Sequence, residues 1–181
     1  MSITKGVFSS TVVANEPVCR EHFRLVLVAD SFPSAEPGQF VQVLCADPGE
    51  EIGQGKVLVR RPFSIGGMRP RNGRCELEIL YRVIGPGTQW LSRLKASDAV
   101  SLLGPLGRPF VIPPGLDTAY LVGGGAGLPP LIWLAEAIRK AGRSAVAFCG
   151  ARSVDLLPLT RHLAEQTFRA GPSFCLAEFT R

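Results

Sequence analysis

The chain has 181 residues, 46% of them hydrophobic, with 20 glycines, 15 prolines and a formal net charge of +5. That apolar content supports a packed core and excludes a disordered chain. The positive excess is mild and no run of Lys and Arg exceeds two residues, which argues against nucleic-acid binding and fits an anionic small molecule better.

No apolar run approaches the roughly 20 residues of a membrane span. The opening MSITKGVFSS lacks the apolar stretch of a secretory signal. A cytoplasmic protein without membrane contact is expected. Five cysteines (Cys19, Cys45, Cys75, Cys149 and Cys175) are widely spaced with no CxxC, so free thiols are expected and a metal site is not.

Residues 7–15 and 22–29 read as strands, the second with Phe23, Leu25, Leu27 and Ala29 on one face. A Ser/Pro-rich turn over 31–38 leads to a strand at 39–45, a polar loop at 46–55 and a strand at 56–65. The segment 66–73 reads as a turn. The next strand, 75–84, alternates Leu77, Ile79 and Tyr81 against Glu76, Glu78 and Leu80. So many short strands predict an antiparallel barrel or sandwich. A short helix follows from Thr88, its expected N-cap, and then a closing strand at 99–103.

Pro113-Pro114-Gly115 is the expected boundary, giving domains 1–114 and 115–181. Beyond it the pattern becomes strand, helix, strand. Residues 118–122 form a strand apolar on both faces, as in a buried parallel sheet. A helix over 131–142 carries Leu131, Leu134, Ala135 and Ile138 on one side. A second parallel strand at 144–149, a helix at 156–166 and a strand at 173–179 complete the reading. The second domain is therefore a truncated Rossmann-like α/β unit.

Two stretches together read as a flavin cradle. In Arg61-Pro62-Phe63-Ser64, strand alternation puts Arg61 and Phe63 on one side and Pro62 and Ser64 on the other. A guanidinium suits a pyrophosphate, a phenyl ring packs along the flavin, and Ser64 hydrogen-bonds the ring edge. Leu80, Tyr81 and Arg82 lead into Gly85-Pro86-Gly87-Thr88, where Gly87 and Thr88 offer amides and a hydroxyl at a helix start. Either motif alone reads better as a surface charge with a core phenylalanine, or as an ordinary turn. Their pairing on neighbouring strands carries the assignment.

A second phosphate site is read at Gly123, Gly124, Gly125 and Gly127, a glycine-rich turn between strand and helix. Leu128 stands where GxGxxG has its last glycine. Arg152 is a ribose or phosphate contact or a solvated side chain, and no acidic ribose-binding residue is evident, which leaves NAD and NADP open. His22 and His162 are isolated, and no nucleophile–base pair stands out. Cofactor-to-cofactor hydride transfer needs none, so no catalytic side chain is assigned.

The stretches LVRRPFSI, ILYRVIGPGTQWLSRLK, LLGPLGRPF and YLVGGGAGLPPLIWLA resemble the ferredoxin–NADP reductase superfamily, and within it the electron-transfer subunits of class 1B dihydroorotate dehydrogenase. The resemblance implies an FAD-binding barrel using Arg61–Ser64, Leu80–Arg82 and Gly87-Thr88, and NAD at the 123–127 loop. It implies an FMN-containing catalytic partner that oxidises dihydroorotate in pyrimidine synthesis, with electrons passing through a [2Fe-2S] cluster and FAD to NAD. The family's closely spaced C-terminal cysteines and the later half of its nicotinamide domain are absent here, as in a fragment, a truncated product or a member that lost the cluster. Two other readings stand beside it: a general NAD(P)H–flavin oxidoreductase component for another redox partner, and a non-catalytic flavin-binding module.

Overall fold

The computed structural model describes residues 5–47, 59–159, 161–168 and 171–176. Seven strands form one antiparallel sheet: β1 (Gly6–Cys19), β2 (His22–Ala29), β3 (Phe40–Leu44), β4 (Arg61–Ser64), β5 (Gly67–Arg71), β6 (Arg74–Arg82) and β7 (Ala99–Leu106). Their spatial order is β4-β3-β7-β1-β2-β6-β5. The two outermost strands, β4 and β5, are joined in the chain by Ile65 and Gly66 alone. So short a link cannot join opposite edges of a flat sheet whose strands lie about 4.8 Å apart. The sheet therefore curls until its edges meet, as in a barrel. Ile65 is fully buried at that seam. Its N–H donates to Gln39 O at 3.0 Å, and Gly66 N–H donates to Glu78 O at 2.8 Å.

The period-two pattern becomes the core. On β6, Cys75, Leu77, Ile79 and Tyr81 point inward to meet Leu25, Leu27, Val41, Val43 and Leu102. The outward Glu76 and Glu78 pair with Arg71 and Arg24 at 2.6 and 2.7 Å. The turn expected over 66–73 narrows to Asn72-Gly73, at φ 49° and 76°, the left-handed pair a two-residue hairpin prefers. Gly67–Arg71 is instead a strand paired with β6. Its sequence, GMRPR, carries no apolar alternation, and Pro70 is tolerated because β5 is an edge. The expected strand at 56–65 is described from Arg61, and residues 48–58 lie outside the described residues.

The second unit is β8 (Thr118–Gly124), a 3₁₀ turn at Gly125–Gly127, α2 (Leu128–Lys140) and β9 (Ser144–Gly150), after the short helix α1 (Pro86–Leu91) of the first unit. β8 and β9 run parallel in register from Thr118↔Ser144 to Gly124↔Gly150. Leu134, Ala135 and Ile138 of α2 cover one face of the pair, around Leu121. The expectation that β8 is buried on both faces fails: Tyr120 and Val122 are 70% and 76% exposed. A single helix covers a single face.

The helix expected at 156–166 is also corrected. Val154–Leu156 forms a 3₁₀ turn, Leu157 is extended, and β10 (Arg161–Phe168) pairs antiparallel with β11 (Gly171–Leu176). Pro158 disfavours helical backbone at the residue before it. The strand expected at 173–179 is described only to Leu176.

Several contacts join the halves, among them an ion pair and a close packing contact. Arg20 on the β1–β2 turn pairs with Asp155, Nε to Oδ2 at 2.9 Å. Pro129, in the first turn of α2, packs on Gly66. No helix among the described residues is long and apolar enough to cross a membrane.

Candidate functional site

The Arg60-Arg61 doublet divides its labour. Arg60 is a structural clamp: Nη1 donates to Ser101 O at 3.0 Å and Nη2 to Ser101 Oγ at 2.8 Å, tying the entry of β4 to β7. Arg61 is exposed and forms no ion pair with any carboxylate among the described residues. Its Cγ lies 3.4 Å from where a side chain on Gly87 would begin, and Cys45 Sγ lies 3.5 Å from the same point. The two motifs, far apart in sequence, thus meet at one place: Gly87 is buried, and its missing side chain lets the stem of Arg61 and Cys45 close against it.

Phe63 is half-buried and meets Tyr81 edge-on at 6.2 Å between centroids. Pro62 and Ser64 are exposed. Tyr81 is 1% exposed and stacks on Phe23 at 5.7 Å. Its hydroxyl donates to Asn15 Oδ1 at 3.0 Å. Tyr81, expected with Leu80 and Arg82 at the flavin site, turns its own ring into the core, where it meets Phe63. Leu80 is half-buried on the outer side of β6, and Arg82 is tied to Glu21, Nη2 to Oε2 at 2.7 Å.

The corner after β6 differs from the expected N-cap. Gly85 is the N-cap and Thr88 is the third helical residue. The Thr88 hydroxyl accepts from Ile84 N–H at 2.9 Å and Gly85 N–H at 3.1 Å, and donates to Gly85 O at 3.1 Å. One donor and two acceptors are all a hydroxyl has, so Thr88 shapes the corner rather than reaching out of it. The amides of Gly87 and Thr88 have no acceptor within the helix. At the other end of α1, Asn15 Nδ2 donates to Leu91 O at 2.8 Å and Leu94 O at 3.1 Å. Trp90 Nε1 donates to Asp47 Oδ1 at 2.9 Å. The corner is thereby braced against β1 and the chain after β3.

Burial pushes the Cys45 thiol up to about 11, and the nearby Arg61 guanidinium opposes that rise. Burial, with Glu76 adding to it, pushes Cys75 up to about 11 as well. Tyr81 is raised to about 12 by burial, against the pull of Asn15. His22, 2% exposed with Nδ1 at 2.9 Å from Arg20 O, is a core side chain. His162 belongs to β10.

The four glycines of the second motif have different reasons. A side chain on Gly123 would begin 2.5 Å from Leu131 Cδ1, so its absence lets α2 close on β8. One on Gly124 would lie 2.8 Å from Gly150 O, the neighbouring strand. Gly125 turns the chain at φ 54°. Gly125 and Gly127 have open space beside them. Leu128, fully buried, packs where a last glycine would stand. Pro129 and Pro130 bring no N–H to the first turn of α2, so donors for an anion come chiefly from the loop amides. The 3₁₀ turn lies against β6, and α2 against β5. The glycine loop is thus seated beside the strand that leads to the Arg61–Gly87 corner. Arg152 is exposed just after β9.

Among the described residues no group of His, Cys, Asp and Glu side chains is arranged to hold a metal ion. Cys45, Cys75 and Cys149 lie on or beside three different strands, which does not fit a shared iron–sulfur cluster.

No family model matches the chain. It is 34% identical over 158 residues to the dihydroorotate dehydrogenase B (NAD(+)) electron transfer subunit of Streptococcus mutans, an alignment covering 86% of this chain and 57% of that one. Among solved structures, a cytochrome P450 reductase of Amycolatopsis superposes with a TM-score of 0.69 at 27% identity, covering 87% of this chain and 46% of that one. An NADH-dependent reduced ferredoxin-NADP oxidoreductase gives 0.64 at 28% identity, covering 82% and 50%.

The antiparallel sheet, the parallel α/β pair and these superpositions place the fold in the ferredoxin reductase-type class. Within that class the chain is similar to the electron transfer subunits of dihydroorotate dehydrogenase B, at 33–34% identity. It spans a little over half of their length.

Proposed function

We propose that the chain is an FAD-dependent electron-transfer component that works with a dihydroorotate dehydrogenase catalytic subunit, FMN-containing by family resemblance, and delivers electrons to NAD. The observation that carries this reading is the packing of the Arg61 stem against Gly87, which brings this cation to the first turn of α1. Arg61 would hold the pyrophosphate with charge-assisted hydrogen bonds, joined by the Gly87 and Thr88 amides. Pro62, Phe63, Ser64, Leu80 and Arg82 are assigned to the same flavin site, with Tyr81 in the core against Phe63. The amides of the 123–127 loop would take the phosphates of the nicotinamide nucleotide, with Gly125 and Gly127 leaving room for close approach.

When bound, FAD supplies the redox chemistry by exchanging two electrons with the nicotinamide. The chain's residues bind and orient, and none of its side chains is assigned a proton-transfer step. No step is routed through an iron–sulfur cluster, because the cysteines among the described residues do not fit one.

The test is reconstitution. FAD-loaded chain is mixed with an FMN-containing catalytic subunit and dihydroorotate, and the flavin absorbance of the chain is followed. Bleaching that depends on both additions supports the role. A chain that loads FAD, is reduced by NADH and ignores the catalytic subunit is a reductase for a different partner. A chain that loads FAD and is reduced by neither is a flavin-binding module.

A further inference from the structure

Where the two halves touch, one residue has no room for a side chain. A Cβ built on Gly66 would lie 2.7 Å from Pro129 Cβ and 3.5 Å from Glu78 O. Ordinary carbon–carbon contact is about 3.5–4.0 Å. Neither partner is free to yield. Gly66 N–H is bonded to Glu78 O at 2.8 Å, which fixes it to β6. Pro129 is buried and its ring cannot change rotamer about the main chain. Nor does the turn require this glycine, since Gly66 is not among the glycines with positive φ.

The position is informative because of what lies on each side. Gly66 is two residues beyond Ser64, the end of β4, and Pro129 is two residues beyond Gly127, the end of the glycine loop. We propose that Gly66 is a positioning residue. Its missing side chain lets α2 seat directly on the β4–β5 corner, and this contact fixes the spacing between the Arg61–Ser64 strand and the 123–127 loop. The inference rests on the flavin and nicotinamide assignment made above. Hydride transfer moves two electrons and one proton from nicotinamide C4 to flavin N5, leaving NAD⁺ and reduced FAD. It requires the reacting atoms at about 3–3.5 Å. A methyl group at residue 66 would move α2 away by about 1 Å to restore normal contact.

The test uses the full chain as wild type, Gly66→Ala, Gly66→Ala/Pro129→Gly and Gly66→Ala/Pro129→Ala. Crystal structures without nucleotide give the position of α2 relative to β6. FAD titration gives affinity, and stopped-flow mixing with NADH gives the rate of flavin reduction. Gly66→Ala is expected to displace α2 by about 1 Å, to keep FAD affinity within about twofold, and to slow reduction by about 10- to 100-fold. Removing the opposing Cβ with Pro129→Gly restores both spacing and rate, whereas Pro129→Ala, which keeps that atom, restores neither.

The proposal is overturned by an undisplaced α2, by an unchanged reduction rate, by equal rescue from both second substitutions, or by wild type that binds FAD and is not reduced by NADH. If Gly66→Ala does not fold, folding of Gly66→Ala/Pro129→Gly supports the same clash, and its failure to fold contradicts it. Wild type that binds no FAD sinks the functional reading instead, and the nucleotide-free structures still decide the spacing.

Discussion

Arg60 and Arg61 are adjacent and chemically identical, yet the fold gives them different tasks. Arg61→Ala should weaken FAD binding by about 1–3 kcal/mol, the range of a hydrogen bond to a charged group, and leave the melting transition of the apoprotein near wild type. Arg60→Ala should do the reverse, lowering unfolding stability by about 1–3 kcal/mol as Ser101 loses its donor. Flavin fluorescence titration and urea denaturation of both variants separate the two. The sequence identified Arg61 by its place in the motif but could not reveal that Arg60 is consumed by Ser101, since that partner comes from β7, 41 residues on. The fate of Tyr81 was hidden for a related reason. Alternation put it on the apolar face of β6, and only the closed sheet shows that this face is interior, with Asn15 meeting its hydroxyl.

The buried thiols have a consequence for pH. Folded Cys45 and Cys75 hold their protons to about 11, against 9.0 for an unperturbed thiol. Tyr81 holds its proton to about 12 rather than 10.0. Between those values the folded chain binds more protons than the unfolded one, so stability falls as pH rises through the window. The denaturation midpoint should be flat from neutral pH to about 9 and decline from there toward 11. A midpoint that rises across this range would contradict the burial of these groups.

At the scale of elements, the corner between β6 and α1 is the part of the cradle most dependent on side-chain detail. Thr88→Val removes the acceptor for Ile84 and Gly85 N–H, leaving two donors to find water. Thr88→Ser keeps it. The valine variant should lose about 1–3 kcal/mol of stability and bind FAD more weakly, with the serine variant close to wild type in both. Equal FAD binding in the two would mean that the corner does not need its internal hydrogen bonds.

The strands of the first half were legible because an inward row of Leu77, Ile79 and Tyr81 alternates cleanly with outward charges. β5 was not, because an edge strand that packs little against the core need not alternate. The helix expected over 156–166 gives way to a strand from Arg161, and pairing with β11 decides the outcome. The glycine loop was legible as a motif, but not the separate reasons for its glycines, two of which serve packing of α2 and β9.

Across the whole molecule, the barrel closes because consecutive strands β4 and β5 occupy opposite ends of the sheet order. That closure brings the Arg61 strand to the corner after β6, and the Gly66–Pro129 contact seats the second unit beside it. The parallel pair is covered on one face only: Tyr120 and Phe148 stack at 6.4 Å on the face exposed to solvent. The larger buried core belongs to the first unit, which carries the Arg61–Gly87 corner. The most direct measurement is therefore equilibrium titration of the purified, folded chain with FAD, monitored by flavin fluorescence and calorimetry. Saturation at one FAD per chain, weakened by Arg61→Ala and not by Arg60→Ala, is the predicted result. A folded chain that takes up no FAD, or takes it up equally well without Arg61, would contradict it.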